Sequence, residues 1–165
     1  MAIVYLGFGS NLGEREENCR KALDYLNENN SIRVTDISPF YETVAVTLPG
    51  ETLPDFINGA CRLETSLTPE QLYRTCKTIE DQVGRKPVDR RWQSRIIDLD
   101  ILFYDDRILE TETLKIPHPL LHERTFVLEP LNDIAPHLLH PILKTTISTL
   151  LWKVRSSSTD SQLSC

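Results

Sequence analysis

Residues 91–102 contain the most informative pattern of this chain and read Arg91-Trp92-Gln93-Ser94-Arg95-Ile96-Ile97-Asp98-Leu99-Asp100-Ile101-Leu102. The alternation of apolar and acidic residues in the second half predicts a β-strand. Because residues two apart in a strand share a face, Asp98 and Asp100 are predicted to lie side by side, with Cα atoms roughly 6.5 Å apart. Such a pair suits divalent cations about 3.5–4 Å apart, the arrangement used in phosphoryl chemistry.

The predicted strand continues to Tyr104, with Phe103 on the same face as Leu99 and Ile101. Because the strand is strongly apolar, we expect it to lie in the middle of a sheet. Two adjacent carboxylates on one face of a central strand repel each other unless a cation offsets them. The strand therefore predicts a cation-binding site rather than a solvated face.

A basic segment precedes this strand. Residues 84–95 contain five arginines and lysines and one aspartate, a local net charge of +4, whereas the whole chain carries −6. An acidic protein with one cationic segment suggests a local anionic ligand rather than a long polyanion. Arginine forks grip phosphates, and Trp92 would be costly to expose unless it covered a flat apolar group. The segment therefore predicts a clamp for a polyphosphate and a planar ring.

The composition indicates one globular domain. The 165 residues are enough to bury a core, and we assign residues 1–155 to a single domain and the serine-rich residues 156–165 to a flexible tail. The four cysteines lack disulfide-like or metal-binding spacing, which predicts free thiols in a reducing compartment. We see no signal peptide and no apolar run near 20 residues, so we expect a cytoplasmic protein.

The pattern of elements predicts the fold class. Strands and helices alternate in the order β-α-β-β-α-β, over residues 2–9, 14–29, 32–46, 56–64, 68–83 and 97–104. Thr68 to Gln71 gives the second helix a capping box and a first-turn proline. This order predicts an α+β, ferredoxin-like sandwich with a largely antiparallel sheet and both helices on one face. Prolines then divide the chain into an irregular and helical C-terminal extension, whose last helix is predicted over residues 145–154.

Two further segments carry weaker signals. Gly7 to Asn11 lacks the third glycine of a dinucleotide fingerprint, and we interpret it as a strand-to-helix turn that needs small residues. His118 and His122 are four residues apart, but the intervening Pro119 disfavours a helical zinc pair. Among the four histidines we select only His118 as a functional candidate, a phosphate contact.

The residues alone leave three classes of function open, and a purely structural protein is a poorer alternative because it would leave the paired acids beside a cationic segment unexplained. A phosphoryl-transfer enzyme accounts for the paired aspartates and for the basic segment with its tryptophan. A nucleic-acid-binding ferredoxin-like module would need a basic sheet face with exposed aromatic residues, which the charge of −6 and the paired aspartates oppose. Another two-metal enzyme, such as a nuclease or a glycosyltransferase, would not need a tryptophan between phosphate-binding arginines.

Several motifs, taken in order, resemble the 6-hydroxymethyl-7,8-dihydropterin pyrophosphokinase family. The resemblance covers residues 3–141 and is carried by Gly9-Ser10-Asn11-Leu12, Phe40-Tyr41-Glu42-Thr43, Asp55-Phe56-Ile57-Asn58, Ile79-Glu80 with Gly84-Arg85, residues 91–101 and Ile116-Pro117-His118-Pro119. It implies a ferredoxin-like fold and Mg²⁺-dependent transfer of the pyrophosphoryl group of ATP, the co-substrate, to 6-hydroxymethyl-7,8-dihydropterin in folate biosynthesis, with release of AMP. It also suggests functional proximity to dihydropteroate synthase.

The resemblance also implies the site residues. Asp98 and Asp100 would bind two Mg²⁺ ions and would act in catalysis together with Arg85 and Arg95. The residues implied to bind ATP are Glu80, Arg85, Arg91, Arg95, Ile101 and His118. The residues implied to bind the pterin are Thr43, Val44, Val46, Phe56, Asn58, Trp92 and Phe126. The identity of a general base stays open: it is one of the two aspartates, or neither of them.

The chain departs from the family pattern at a few of these positions. Gln93 stands where a glycine is commoner, and Pro87 interrupts a stretch in which the family often has a further arginine. Phe56 replaces a frequent tyrosine, so it keeps the ring and loses a hydroxyl contact. Val44 and Ala45 replace prolines, which changes the surroundings of the expected pterin contacts.

Overall fold

The computed structural model describes residues 1–43, 56–84 and 96–163. Its elements, in chain order, are β1 (Ala2–Ser10), α1 (Arg15–Glu28), β2 (Ile32–Ile37), β3 (Tyr41–Thr43), β4 (Phe56–Thr65), α2 (Pro69–Val83), β5 (Asp98–Tyr104), β6 (Leu109–Glu110), β7 (Lys115–Ile116), a 3-10 turn (Leu121–Glu123), α3 (Thr125–Ile134) and α4 (Ile147–Leu163).

The first five strands form one sheet in the order β2-β4-β1-β5, with β3 paired to β4. Every pairing in this sheet is antiparallel, as the sequence predicted. The short strands β6 and β7 form a separate antiparallel pair. The long β1 and β4 pair along their whole lengths, from Ala2 opposite Thr65 to Ser10 opposite Ile57, and form the centre of the sheet.

The acidic strand β5 lies at an edge of the sheet, so the expectation of a central position is wrong. Within the described residues, its only strand neighbour in the sheet is β1. Two backbone groups on the outer side of β5 nevertheless have hydrogen-bond partners. The Leu99 amide donates to Glu80 Oε2 at 2.7 Å, and the Leu102 carbonyl accepts from the His118 amide at 3.1 Å. Side-chain and loop partners thus replace a neighbouring strand at these two points.

The sheet has a hydrophobic core on each face, which explains why its edge strand β5 is apolar apart from Asp98 and Asp100. Helices α1 and α2 cover one face, as predicted, with a core that includes Leu6, Leu26, Leu63, Leu72 and Leu99. Helices α3 and α4 cover the other face, with a core that includes Tyr5, Ala60, Leu128, Leu131 and Ile147. Burial on both faces, rather than a central position, accounts for the composition of β5.

A β-bulge changes the face of the sheet to which the last side chains of β5 point. The register between β1 and β5 shifts between Tyr5 and Leu6, so that Leu6 lies opposite Ile101 and Tyr5 lies opposite Phe103. As a result, Leu102 and Phe103 both pack in the α3/α4 core, whereas Tyr104 joins the α1/α2 core. The prediction that Phe103 shares a face with Leu99 is therefore wrong, because the bulge inserts one unpaired residue into the alternation.

The strand predicted over residues 32–46 is divided into β2 and β3. Pro39 lacks an amide hydrogen and cannot continue the ladder. Ser38 closes the gap, because its amide donates to the Ala60 carbonyl and its Oγ accepts from the Ala60 amide, both at 2.9 Å. The predicted residues 44–46 lie outside the described residues.

The helix ends follow local chemistry. The capping box at Thr68 and Gln71 is confirmed by reciprocal hydrogen bonds of 3.2 and 2.9 Å. Helix α4 begins at Ile147 and continues to Leu163, whereas the sequence predicted an end near Val154. In the part of the chain that the structure describes, no helix combines the length and apolar character needed to cross a bilayer.

Candidate functional site

A cleft of about 370 Å³ opens on the face of the sheet that α3 covers. Its floor is formed by residues of β1, β4 and β5, and its wall by residues at or before the start of α3. The floor includes Gly7, Gly9, Asn58, Gly59, Asp98 and Asp100, and the wall includes His118, Arg124, Phe126 and Val127.

Asp98 and Asp100 both line the cleft, which agrees with the predicted common face. In the ladder they lie opposite Gly9 and Gly7, two residues without side chains. Asp98 is partly buried and Asp100 is exposed. The donor set fits Mg²⁺, because this ion prefers carboxylate oxygens and is commonly held by one or two carboxylates plus water and substrate phosphates. Among the described residues, no third acidic, histidine or cysteine side chain joins them in a metal-binding cluster.

The glycines of β1 leave room for the cleft. The sequence predicted a strand over residues 2–9 and also interpreted Gly7 to Asn11 as a strand-to-helix turn. Because β1 continues to Ser10, the strand is confirmed and the turn is wrong for residues 7–10. A Cβ at position 9 would lie 2.7 Å from Asn58 Oδ1, closer than van der Waals contact allows. Gly9 is thus needed for Asn58 to keep its place on the floor.

Aromatic and amide groups also line the cleft. Asn58 is 8% exposed on the floor, Phe56 lies two residues before it in β4, and Phe126 is 39% exposed on the wall. The Arg124 guanidinium stands 5.6 Å from the centre of the Phe126 ring. A buried amide and an accessible ring in one cleft suit a flat heterocycle that has a polar edge.

His118 contributes a nitrogen donor on the wall. Its Nδ1 accepts a hydrogen bond from the Leu120 amide at 3.4 Å, so the neutral ring carries its proton on Nε2. Burial lowers the pKa of His118, the charge of Arg124 lowers it further, and Asp100 opposes both. The neutral imidazole can therefore donate from Nε2 to an anionic oxygen in the cleft.

A second group of polar residues lies along the outer edge of β5. Glu80 of α2 accepts from the Leu99 amide and pairs with Lys77 Nζ at 3.2 Å. Burial raises the pKa of the Glu80 carboxyl, which the Leu99 amide and Lys77 oppose. Ile101, two residues along β5, is buried in the α1/α2 core, so only its backbone is suited to contact a ligand at this edge.

Of the remaining site residues predicted from the sequence, only Thr43 lies among the described residues. The backbone of Thr43 pairs with Phe56 at the end of β3. Six others lie outside the described residues: Val44, Val46, Arg85, Arg91, Trp92 and Arg95. The structure brings together Phe56, Asn58, Asp98, Asp100, His118 and Phe126 in one cleft, while Glu80 and Ile101 belong to the neighbouring edge.

The sequence interpretation missed two cations. Arg124 lines the cleft and contacts Phe126, and its position two residues before that predicted ring was the available signal. Lys77 pairs with Glu80 one helical turn away, a spacing visible in the sequence. Burial disfavours the Lys77 ammonium, but Glu80, Tyr73 and Asp100 raise its pKa overall. Both cations extend the positive charge available to an anionic substrate.

Comparison with known proteins gives consistent matches. A family model described as 7,8-dihydro-6-hydroxymethylpterin-pyrophosphokinase (HPPK) matches residues 5–136. A protein of Aquifex aeolicus named 2-amino-4-hydroxy-6-hydroxymethyldihydropteridine pyrophosphokinase is 41% identical over 145 residues, 87% of each chain. The folic acid synthesis protein fol1 of Schizosaccharomyces pombe is 42% identical over 154 residues, 93% of this chain. This chain spans about a fifth of that protein, 21% of its length.

Solved structures share the fold. The HPPK-DHPS of Plasmodium falciparum, crystallised with pterin and p-hydroxybenzoate, superposes with a TM-score of 0.73 at 18% identity. The match covers 97% of this chain and 44% of the longer one. At this identity the likeness concerns the fold alone.

Proposed function

Because the chain belongs to the 7,8-dihydro-6-hydroxymethylpterin-pyrophosphokinase family, we propose that it transfers the pyrophosphoryl group of ATP to 6-hydroxymethyl-7,8-dihydropterin in folate biosynthesis. The products are AMP and the pterin diphosphate. The observation that carries this proposal is one cleft lined by two carboxylates, Asp98 and Asp100, and by a buried amide, Asn58, together with the accessible Phe126 ring. The carboxylates suit cation-bound phosphates, and the amide with the ring suits a flat, polar-edged heterocycle.

In this proposal the pterin lies against Phe126, and Asn58 hydrogen-bonds its polar edge. Phe56 adds a second ring beside Asn58. Thr43, Val44 and Val46 supply further contacts, and Trp92 covers the outer face of the ring system. The resemblance to the family supports these four roles. The described residues support those of Asn58 and Phe126, because both line the same cleft, Asn58 on its floor and Phe126 on its wall.

The triphosphate occupies the part of the cleft near Asp98 and Asp100. His118 donates from Nε2 and Arg124 supplies a guanidinium, so both neutralise phosphate charge. Arg85, Arg91 and Arg95 complete the clamp, as the family resemblance implies. The adenine lies at the outer edge of β5 against the Ile101 backbone, with Glu80 beside the ribose or base.

Asp98 and Asp100 would hold two Mg²⁺ ions. Such ions, when bound, neutralise phosphate charge and lower the pKa of the attacking alcohol. The protein itself contributes positioning and charge, since transfer to a primary alcohol needs an in-line approach more than covalent help. His118 and Arg124 provide fixed donors for the charge that develops on the transferred group.

We also infer three properties of the whole protein. The strand order β2-β4-β1-β5 and the β-α-β-β-α-β succession support a ferredoxin-like frame. Cys19, Cys61 and Cys76 are free and buried, which supports a cytoplasmic location. The matched proteins that join HPPK to DHPS support functional proximity to dihydropteroate synthase. Co-purification with that enzyme from the source cells would test the last inference.

The test of the proposed activity is product analysis. The purified protein is incubated with ATP, Mg²⁺ and 6-hydroxymethyl-7,8-dihydropterin, and nucleotides are separated by chromatography. We expect AMP in equimolar amount with the pterin diphosphate and no AMP when the pterin is omitted. ADP as the only nucleotide product would identify an ordinary kinase and would overturn the proposal.

A further inference from the structure

A hydrogen bond joins the edge of the sheet to the wall of the cleft. The Tyr41 hydroxyl of β3 donates to the Asp133 carboxylate of α3, across 92 positions of sequence. This bond is the largest cause that raises the pKa of Tyr41, to about 12. The hydroxyl therefore stays protonated, and remains a donor, over the whole physiological pH range.

On the sheet side, the bond is anchored next to the floor of the cleft. Tyr41 lies directly opposite Asn58 in the β3–β4 ladder, and opposite residues of an antiparallel pair point to the same face. The Tyr41 side chain thus projects from the same face of the sheet as the Asn58 side chain. The next residue, Glu42, reaches the other face and pairs with Arg15 of α1 at 3.4 Å. The two contacts hold β3 from both sides.

On the helix side, the bond is anchored in line with the wall. Asp133 follows Phe126 by seven residues, nearly two turns, so both lie on one stripe of α3 about 10.5 Å apart along the axis. Glu129, between them, pairs with Arg155 of α4 at 3.0 Å. The bond therefore helps to fix the position of α3, which α4 also holds. The first turn of α3 carries Phe126, the aromatic residue of the cleft wall.

We propose that Tyr41 and Asp133 are positioning residues for the pterin part of the cleft. By tying β3 to α3, their hydrogen bond sets the gap between Asn58 on the floor and Phe126 on the wall. This inference rests on the proposed function and adds two residues to it that touch no substrate. It requires that loss of the bond weaken binding of the flat heterocycle while binding of ATP at Asp98, Asp100 and the β5 edge is retained.

The test compares two tyrosine-to-phenylalanine variants. Tyr41→Phe removes the bond under study. Tyr104→Phe is the matched control, because its hydroxyl also donates one hydrogen bond, to the Leu67 carbonyl at 2.6 Å, on the α1/α2 side of the sheet. We expect the pterin KM of Tyr41→Phe to rise about five-fold, the size of one net hydrogen bond. The KM for ATP and kcat stay within about two-fold of wild type, and Tyr104→Phe keeps both KM values.

Variants of the acceptor test the same bond independently. Asp133→Ala should raise the pterin KM as Tyr41→Phe does, and Asp133→Asn, which keeps an acceptor, should restore part of the affinity. The double variant Tyr41→Phe/Asp133→Ala should be no worse than either single variant, because both lose one shared interaction. Circular dichroism and urea unfolding monitor the folded state of every variant.

The outcomes separate this inference from the proposed function. If wild type releases no AMP, the proposed function fails. If wild type releases AMP but Tyr41→Phe and Asp133→Ala have the pterin KM of Tyr104→Phe, only the positioning inference fails. Equal increases in both KM values would indicate a general structural role and would also overturn it. Should Tyr41→Phe not fold, the comparison of Asp133→Ala with Asp133→Asn decides.

Discussion

Gly9→Ala tests how closely β1 must approach Asn58. The new Cβ would lie 2.7 Å from Asn58 Oδ1 and 3.5 Å from the Ile57 carbonyl oxygen. Ordinary contact requires about 3.4 Å or more, so the Asn58 side chain must retreat by roughly 0.7 Å. The Ile57 carbonyl is already at an acceptable distance. The substitution therefore moves one amide side chain and leaves the backbone in place.

The consequence for folding is small and the consequence for binding is large. An Asn58 side chain pushed off its rotamer costs about 0.5–1.5 kcal/mol. The loss of chain entropy in the unfolded state on replacing glycine returns about 0.4–1 kcal/mol. The free energy of unfolding should therefore change by less than about 1 kcal/mol. Losing the proposed hydrogen bond from Asn58 to the pterin would cost about 1–3 kcal/mol, which corresponds to a 5- to 150-fold increase in the pterin KM.

The assay is steady-state AMP release at saturating ATP with varied pterin, together with urea unfolding. Gly7→Ala controls for the folding effect, because it lies two residues earlier on the same face and its Cβ would meet Leu102 Cδ1 at an ordinary 3.4 Å. A Gly9→Ala variant with the pterin KM of wild type would refute the placement of Asn58 as a pterin contact. A loss of several kcal/mol in unfolding free energy would refute the argument that only Asn58 moves.

Three further expectations follow from named contacts. Glu80→Ala should lower the unfolding free energy by about 1–3 kcal/mol in urea, because the Leu99 amide loses its acceptor, whereas the exposed neighbour Asp81→Ala should have little effect. Burial lowers the pKa of His140, and His122 lowers it further, so the native state binds fewer protons than the unfolded state. The stability of the native state should therefore fall as the pH drops below about 6.5. The variant His140→Asn should flatten this pH dependence of stability between pH 7 and 5, and His137→Asn, at an exposed position, should not. Arg95→Ala, which lies outside the described residues, should slow single-turnover chemistry more than it weakens ATP binding, and unchanged single-turnover rates would make Arg95 a ground-state contact only.

Local patterns in the sequence determined much of the fold. The capping box at Thr68 and the alternation from Asp98 to Ile101 depend on neighbours within a few residues, so they could be predicted. The shift at Leu102 could not, because a bulge depends on how β5 pairs with a strand almost 100 residues earlier. The edge position of β5 was missed for a related reason, since the helices on both faces, which make it apolar, are assigned only by tertiary packing.

The site shows the same division. The carboxylates, His118, Asn58 and Phe126 were identified by residue type and by resemblance, and the structure places them in one cleft. The steric need for glycine at position 9 could not be predicted, because it arises from the close approach of Asn58, which lies in β4, a strand that follows α1 and β2 in the chain. The bond between Tyr41 and Asp133 could likewise not be predicted, because the two residues are 92 positions apart and no local pattern links them.

The central claim is that Asp98 and Asp100 make this cleft a site of pyrophosphoryl transfer, and the most direct measurement is the rate of AMP release by Asp98→Ala and Asp100→Ala. Asp106→Ala, in the exposed turn after β5, is the matched control. Each cleft variant should lose about 10²-fold or more in turnover, because removing one charge-stabilising group at a reacting centre typically costs about 3 kcal/mol. Their unfolding should remain cooperative, since each change relieves repulsion between two carboxylates, and the control should keep the wild-type rate. Near wild-type AMP release by either cleft variant would contradict the account.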